Sequence, residues 1–513
     1  MVENSGRICA VIAEESLQAA GEMMGRAARF AGMIELRADH LKDLDFSDPE
    51  PLRPLIEKKP LPIIITCRAR AEGGAQAIDD DARLRLLASA LMMGADYCDV
   101  EAAHYDRLLH FSPDTGRLIV SHHDFDSTTP NLEEVYEKLC GLPSAVKKIA
   151  TKANGYGDAM AHLRLLSRAK SEGKKLIALA MGHAGIITRV LGPARGAFLT
   201  YGAMARGRES APGQATCEEM KELYRAESLS PRASVCGIIG NPVSNSASPA
   251  MHNAGFRSMN LDAVYLPFEV DDLKDFIANV ARNRDSLGGA NLRGLSVTIP
   301  HKTAIIPFLD ALDPVAREVG AVNTVVVEGG GLKGYNTDMR GAMEPLERVC
   351  DLQGASCGVI GAGGAARAIV YGLKKRGARV IVFARDPDKA APLAKEFNVS
   401  VAPIEEASRG RAGILINTTP VGMRGHSEGR SPVPPEAFAG CEVAYDLIYN
   451  PEETRFLADA RREGCRVIGG LEMLIEQAAL QFELWTGARP PVEIFRAALS
   501  SQLDSHRSMD KSK

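Results

Sequence analysis

Eight short apolar runs punctuate the first part of the chain, and their regular spacing constrains its fold more than any other feature. They occupy residues 8–13, 33–37, 62–68, 97–101, 118–122, 146–151, 176–181 and 197–201. Between them lie stretches with apolar residues three and four apart, such as Leu84, Leu87, Ala88 and Leu91, the spacing that lines one face of a helix. Strand and helix alternating eight times over about 220 residues predict a (β/α)8 barrel rather than an open sheet.

At 513 residues the chain is too long for one core, and about three domains are expected. A polar, proline-containing stretch at 226–234 reads as a linker, after which 235–240 opens a second βα series. A glycine-rich turn between a strand at 357–360 and a helix marks a nucleotide-binding region, followed by a helical return at the C-terminal end. Hydrophobic residues at 45% and charged residues at 25% fit a soluble globular protein. A net charge of -4 gives no reason to expect nucleic acid or a membrane surface as a partner. No signal or transit segment and no membrane-length apolar run is evident. The ten cysteines show no C-x-x-C pair and no metal-ligand spacing, so they read as reduced thiols, with no metal and a cytoplasmic location expected.

Active sites of such barrels gather at the C-terminal ends of the strands, and here those ends carry charge. The runs present Glu35 and Arg37; Arg68, with Glu72 close behind; Asp99 and Glu101; His122, His123 and Asp124; and Lys147 and Lys148, with Arg189 just past the seventh. Charges on so many strands cost too much to bury without partners or a task; a structural ion-pair network is the alternative. A strand-borne lysine in apolar surroundings suggests imine formation with a ketone. A histidine then removes the acidified proton, and arginines hold a carboxylate. Lys147 and Lys148 point to opposite faces of a strand, as do His122 and His123, so one of each lines the site. These parts allow an aldolase or a dehydratase.

The ordered set Ile34 to Arg37, Thr66-x-Arg68-x-x-x-Glu72-Gly73-Gly74, Ser121-x-His123-Asp124-Phe125, Lys148-Ile149-Ala150 and Ser210 to Gln214 resembles the motifs of type I 3-dehydroquinate dehydratases. The resemblance implies that Lys148 forms the imine and that His123, oriented by Glu72, is the general acid and base. It also implies that Glu35, Arg37, Arg68, Arg189, Ser210 and Gln214 grip the substrate. Met181 and Tyr201 are expected to pack on the substrate ring.

In the second part, Gly361-x-Gly363-x-x-Ala366 follows a strand and is itself followed by another at 380–383, the layout of a dinucleotide fingerprint. Further segments are 240–249, 297–302, 320–324, 334–338, 417–423, 445–451 and 470–479. In this order they resemble the shikimate dehydrogenase family, over about 235 to 490. The resemblance assigns proton transfer to Lys302 and Asp338. Ser246, Ser248, Thr298, Asn323 and Gln477 are then the shikimate contacts, with Tyr449 nearby. NADP falls to Gly361, Gly363, Gly364, Ala365 and Thr418, with Arg385 and Lys389 available to its 2′-phosphate. Asp386 stands beside them: it repels a phosphate unless it points away as a helix cap. Asn245 stands where a histidine is common in the family.

The two resemblances together imply a barrel over 1–225, an α/β substrate domain over 235–340 completed by helices at about 471–505, and a Rossmann-type domain over 341–470. They imply a bifunctional enzyme that dehydrates 3-dehydroquinate to 3-dehydroshikimate and reduces that to shikimate with NADPH. Quinate as the dehydrogenase substrate, and a non-catalytic quinate sensor, are the alternatives. A sensor should have lost catalytic residues, yet Lys148, His123, Lys302 and Asp338 are all present.

Overall fold

The computed structural model describes residues 7–126, 131–211, 213–244, 246–283, 291–409, 412–425 and 427–510. Packing divides the chain into two compact units, residues 1–236 with 262–292, and residues 237–261 with 293–513.

The eight apolar runs become eight strands: β1 (Arg7–Ile12), β2 (Met33–Arg37), β3 (Ile63–Thr66), β4 (Tyr97–Glu101), β5 (Leu118–Asp124), β6 (Val146–Lys152), β7 (Leu176–Met181) and β8 (Leu199–Ala203). They form one sheet in the order β7-β6-β5-β4-β3-β2-β1-β8. A parallel bridge from Leu176 to Ala197 brings the ring nearly to closure. β3 stops at Thr66, so Arg68, expected at the end of its run, lies just past the strand; strand ends fray by a residue or two.

Alternation along each strand sorts the barrel interior into layers. Cys9, Met33, Ile64, Ile119, Val146, Ile177 and Leu199 pack into one apolar cluster. Two residues further along, the inward positions of β2, β3, β5 and β6 turn polar, as Glu35, Thr66, Ser121 and Lys148, with Asp99 beside them on β4, while Val11, Leu179 and Tyr201 stay in the apolar cluster. The register sets Thr66 beside Arg37 and Asp99, and Ser121 beside Glu101 and Lys148. An apolar floor therefore supports a charged layer at the C-terminal end.

The next six strands are β9 (Ser234–Gly240), β10 (Ala263–Glu269), β11 (Asn291–Val297), β12 (Ala311–Leu312), β13 (Thr324–Glu328) and β14 (Gly331–Tyr335). They form a mixed sheet in the order β10-β9-β11-β13-β14-β12. The last six are β15 (Ser356–Ile360), β16 (Arg379–Ala384), β17 (Ser400–Pro403), β18 (Ile414–Asn417), β19 (Val443–Asp446) and β20 (Arg466–Ile468). These are parallel, in the order β17-β16-β15-β18-β19-β20, with apolar clusters among their buried residues. The strand order reverses between β15 and β18, the place where doubly wound sheets bind nucleotides. Helix Gly470–Thr486 lies against helix Asp338–Glu347. A Cβ on Gly341 would meet Gln477 Cβ at 2.8 Å, so the absence of a side chain there lets the two helices approach.

Candidate active sites

The strand-borne charges of the barrel meet around one cavity. Its volume is about 60 Å³, and Glu35, Arg37, Arg68, Glu72, His123, Phe125, Lys148, Met181, Arg189, Tyr201, Ser210 and Gln214 are among its lining. Parity along β6 decides which lysine enters. Lys148 faces inward, its Nζ 2.8 Å from Asp99 Oδ2 and 3.4 Å from Glu35 Oε1. Lys147 instead donates to the carbonyls of Leu142 and Ser144. The apolar surroundings expected for the site lysine are not what it has: two carboxylates bracket it, because β2 and β4 present Glu35 and Asp99 to the same layer.

Beneath the lysine the charges are cross-linked. Arg68 lies 2.9 Å from Asp99 and 3.2 Å from Glu101, and Ser121 donates to Asp99 at 2.6 Å. Burial works against ionisation of Asp99, but Arg68 first and then Lys148 hold its carboxyl far below the ordinary range. Arg83, from helix Asp80–Met92, closes the network by pairing with Glu101 at 3.1 Å. Arg37 makes two bonds to the buried Asp39, at 2.9 and 2.8 Å. A buried ion network of this kind is costly to break, because each lost partner leaves an uncompensated charge.

His123 Nδ1 lies 3.1 Å from Glu72 Oε2, and the same oxygen accepts the His123 backbone N–H at 3.1 Å. With Nδ1 engaged, Nε2 is the nitrogen left for chemistry. Burial, reinforced by Arg68 and Lys148, holds the imidazole well below its ordinary pKa. Burial also pushes Glu72 up to about 7. Arg189 sits on helix Ile186–Leu191 and is fully buried. Its Nε has no partner among the described residues, and burial lowers the guanidinium to about 10. Arg37 and Arg68 are paired with carboxylates; Arg189, which lines the cavity, pairs with none among the described residues, which suits a bound carboxylate. Ser210 donates from N and Oγ to Gln214 Oε1, at 3.0 and 3.2 Å. Pro212 of that motif lies outside the described residues.

The second site is built on a lysine and an aspartate. Asp338 opens helix Asp338–Glu347, where the helix dipole favours a carboxylate. Its Oδ2 lies 2.5 Å from Lys302 Nζ. Asn323 donates to Asp338 Oδ1 at 2.7 Å, to Thr337 Oγ1 at 2.9 Å and to Gln477 Oε1 at 3.4 Å. Thr298 borders the turn that leads to the serines: a Cβ on Gly240 would meet its Cγ2 at 2.4 Å. Ser246 Oγ accepts the Ser248 N–H at 3.2 Å. Burial raises the Tyr449 hydroxyl, opposed by a hydrogen bond from the Ala247 backbone, so Tyr449 reaches the turn carrying Ser246 and Ser248. Asn245 lies outside the described residues.

The dinucleotide turn adjoins this pair, since a Cβ on Gly364 would lie 3.5 Å from Lys302 Cβ and Cδ. Gly361 has φ +107, and a Cβ there would meet Thr418 Oγ1 at 2.8 Å. Thr418 in turn donates to the Ile360 carbonyl at 2.7 Å. Nothing lies within 4 Å of where a Gly363 Cβ would be, so the approach to the start of helix Gly364–Lys375 is open. Ala365 lies in its first turn. Backbone N–H groups at such a helix start bind phosphate. At the end of β16 Arg385 is exposed. Asp386 caps helix Pro387–Phe397, accepting the Lys389 N–H at 3.2 Å, with Lys389 Nζ 3.2 Å from its other oxygen. These residues fit a phosphorylated dinucleotide.

Several site residues were not legible as such. Asp99 and Glu101 stand out as strand charges without an assigned role, and Asp39 and Arg83 carry no motif. In the second unit, Asp446 is fully buried and holds two loops. It accepts Asn417 Nδ2 at 3.0 Å, the Ile448 N–H at 3.1 Å and Thr454 Oγ1 at 2.6 Å, and burial raises it to about 6. The signal for it was a lone carboxylate ending an apolar strand.

The geometry defines two classes of site: a barrel centred on a strand lysine beside a histidine–carboxylate pair, and a dinucleotide-binding fold with a lysine–aspartate pair beside its phosphate turn. Sequence comparison agrees with both. The type I 3-dehydroquinase family matches residues 8–231. The shikimate dehydrogenase substrate binding domain matches 238–325, and the shikimate 5′-dehydrogenase C-terminal domain 470–499. The coenzyme F420-dependent NADP oxidoreductase family matches 356–425. A chloroplastic bifunctional 3-dehydroquinate dehydratase/shikimate dehydrogenase of Arabidopsis thaliana is 32% identical, over 98% of this chain and 85% of its own. A shikimate dehydrogenase (NADP(+)) of Moorella thermoacetica is 44% identical, over 51% of this chain and 91% of its own. A crystal structure of shikimate dehydrogenase in complex with NADP+ superposes with a TM-score of 0.50 at 37% identity, covering 54% of this chain and 97% of that one. The chain belongs to the family of bifunctional 3-dehydroquinate dehydratase/shikimate dehydrogenases. Among the described residues no helix is long and apolar enough to cross a membrane.

Proposed function

We propose that the barrel converts 3-dehydroquinate to 3-dehydroshikimate through an imine on Lys148, and that the second unit reduces that product to shikimate with NADPH. The observation that carries the reading is that each unit holds its own lysine-centred site. In the first, Lys148 Nζ adds to the ketone and leaves an electron-poor carbon beside the scissile C–H. His123 takes that proton and returns it to the departing hydroxyl, while Glu72 fixes its Nδ1. Arg189 receives the substrate carboxylate, with Ser210 and Gln214 closing over the ring.

In the second site, bound NADPH supplies the hydride that reduces the ketone. Lys302, held by Asp338, delivers the proton to the developing alkoxide. Asn323, Gln477, Thr298, Ser246 and Ser248 orient the hydroxylated ring, and Tyr449 backs the serine turn. Gly361, Gly363, Gly364, Ala365 and Thr418 shape the pyrophosphate site, and Arg385 faces the 2′-phosphate. Ten free cysteines support a reducing, cytoplasmic location.

The test is to give the full chain 3-dehydroquinate with NADPH and no other enzyme. Transient 3-dehydroshikimate followed by shikimate is the expected outcome. Dehydration without reduction, or quinate as the reduced product, would overturn the second half.

A further inference from the structure

Lys148 has a third neighbour besides its two carboxylates. The ring of Tyr201 lies under its nitrogen, with Nζ 4.5 Å from the ring centroid. Tyr201 is 4% exposed and lines the cavity, and β8 sets it beside Cys9 of β1. Its hydroxyl is buried and has no hydrogen-bond partner among the described residues. Burial, then Glu35, Cys9 and Asp99, push that hydroxyl well above its ordinary pKa, so it keeps its proton. A tyrosine retained only for its hydroxyl would have found that group a partner. What this one presents to the reacting nitrogen is its π face.

Imine formation changes what the nitrogen can hold. The free ammonium has N–H donors for Asp99, for Glu35 and for the ring. Addition to a ketone makes a C–N bond, expels the carbonyl oxygen as water with two of the ammonium protons, and leaves an iminium with one N–H and the same positive charge. One donor serves one carboxylate oxygen. A π face attracts a cation through the ring quadrupole and needs no particular number of N–H groups. We infer that Tyr201 is a positioning residue of the dehydratase site, whose aromatic face holds the Lys148 nitrogen and stays with it as the cationic imine forms. The inference rests on the imine reading proposed above.

Tyr201→Phe keeps the face and removes the unpartnered hydroxyl; Tyr201→Leu and Tyr201→Met fill the space without a face. The full chain is assayed for 3-dehydroquinate dehydration and for borohydride-reduced adduct on Lys148 at saturating substrate. The Phe variant should stay within about threefold of wild type and melt no lower. The Leu and Met variants should lose about tenfold to thirtyfold in kcat, with KM changed less and the trapped fraction reduced. Loss in Phe equal to that in Leu would assign the role to the hydroxyl instead. Wild-type kinetics in Leu or Met, or a barrel that fails to fold in both by circular dichroism, would make Tyr201 a packing residue. No adduct in wild type would overturn the imine reading and this inference with it. A wild-type adduct trapped equally in Met would overturn this inference alone.

Discussion

Cofactor choice rests on which of two neighbouring side chains meets the ribose, and the structure separates them. Asp386 is committed as the cap of helix Pro387–Phe397, through the Lys389 N–H at 3.2 Å, and on the reading proposed above the exposed Arg385 is then the group to meet a 2′-phosphate. A hydrogen bond to a charged group contributes about 1.5–3 kcal/mol. Arg385→Ala should therefore raise KM for NADP roughly tenfold to a hundredfold and leave KM for NAD within about twofold. Asp386→Ala should lower the melting temperature of the dehydrogenase unit through the lost cap, with the NADP/NAD ratio held or increased. Asp386→Ser, which keeps a capping oxygen, should restore the stability. The assay is initial-rate shikimate oxidation with each cofactor, giving kcat/KM for both. A wild-type preference for NAD, or a swing towards NADP of tenfold or more in Asp386→Ala, would show that Asp386 reads the ribose and refute the reasoning.

The two chemistries should separate. Lys148→Ala should abolish dehydration and spare shikimate oxidation, and Lys302→Ala the reverse; loss of both activities in either folded variant contradicts two sites. Arg189→Met should raise KM for 3-dehydroquinate by roughly tenfold or more while stability holds or rises, because a buried guanidinium with an unpartnered Nε and no carboxylate paired to it among the described residues is removed; an unchanged KM refutes its role as carboxylate clamp. Glu72 has its pKa raised to about 7. Its native form therefore holds a proton that the unfolded chain gives up near its ordinary value, and its contribution to stability falls as pH rises through that window. Glu72→Gln should gain on wild type by about 3 kcal/mol between pH 4.5 and 7.5, read from the unfolding transition that abolishes dehydration. A pH-independent difference would refute the shift.

Much of this architecture is legible in the residues. Apolar runs with β-branched residues and regular helical spacers place eight parallel strands, and their number and even spacing favour a closed barrel over an open sheet. Strand parity shows without any structure that only one of Lys147 and Lys148 lines the site, and the resemblance selects Lys148. What the sequence hides is where one element reaches across to another. Arg83 comes from a helix, and its partner Glu101 is set only when the barrel packs; Asp39 pairs locally with Arg37, but its acceptance of the Arg68 and Ala75 N–H groups is set by the neighbouring strand and loop. The environment of Lys148 is hidden for the same reason: Glu35 and Asp99 are remote in sequence, so local pattern suggests apolar neighbours where the register delivers two anions. Tyr201 reads as a wall for the substrate, and only the layer geometry shows its ring against the lysine nitrogen. The state of Asp386 was legible as a choice, cap or ribose contact, and the backbone turn after β16 makes it a cap.

Dehydration by covalent chemistry at the Lys148 nitrogen is the central claim. Sodium borohydride added to the full chain with 3-dehydroquinate should leave a reduced adduct, and peptide mass mapping should place it on Lys148 alone, with dehydration lost and shikimate oxidation retained. An adduct on Lys147, or none at all in a chain that still dehydrates its substrate, would contradict it.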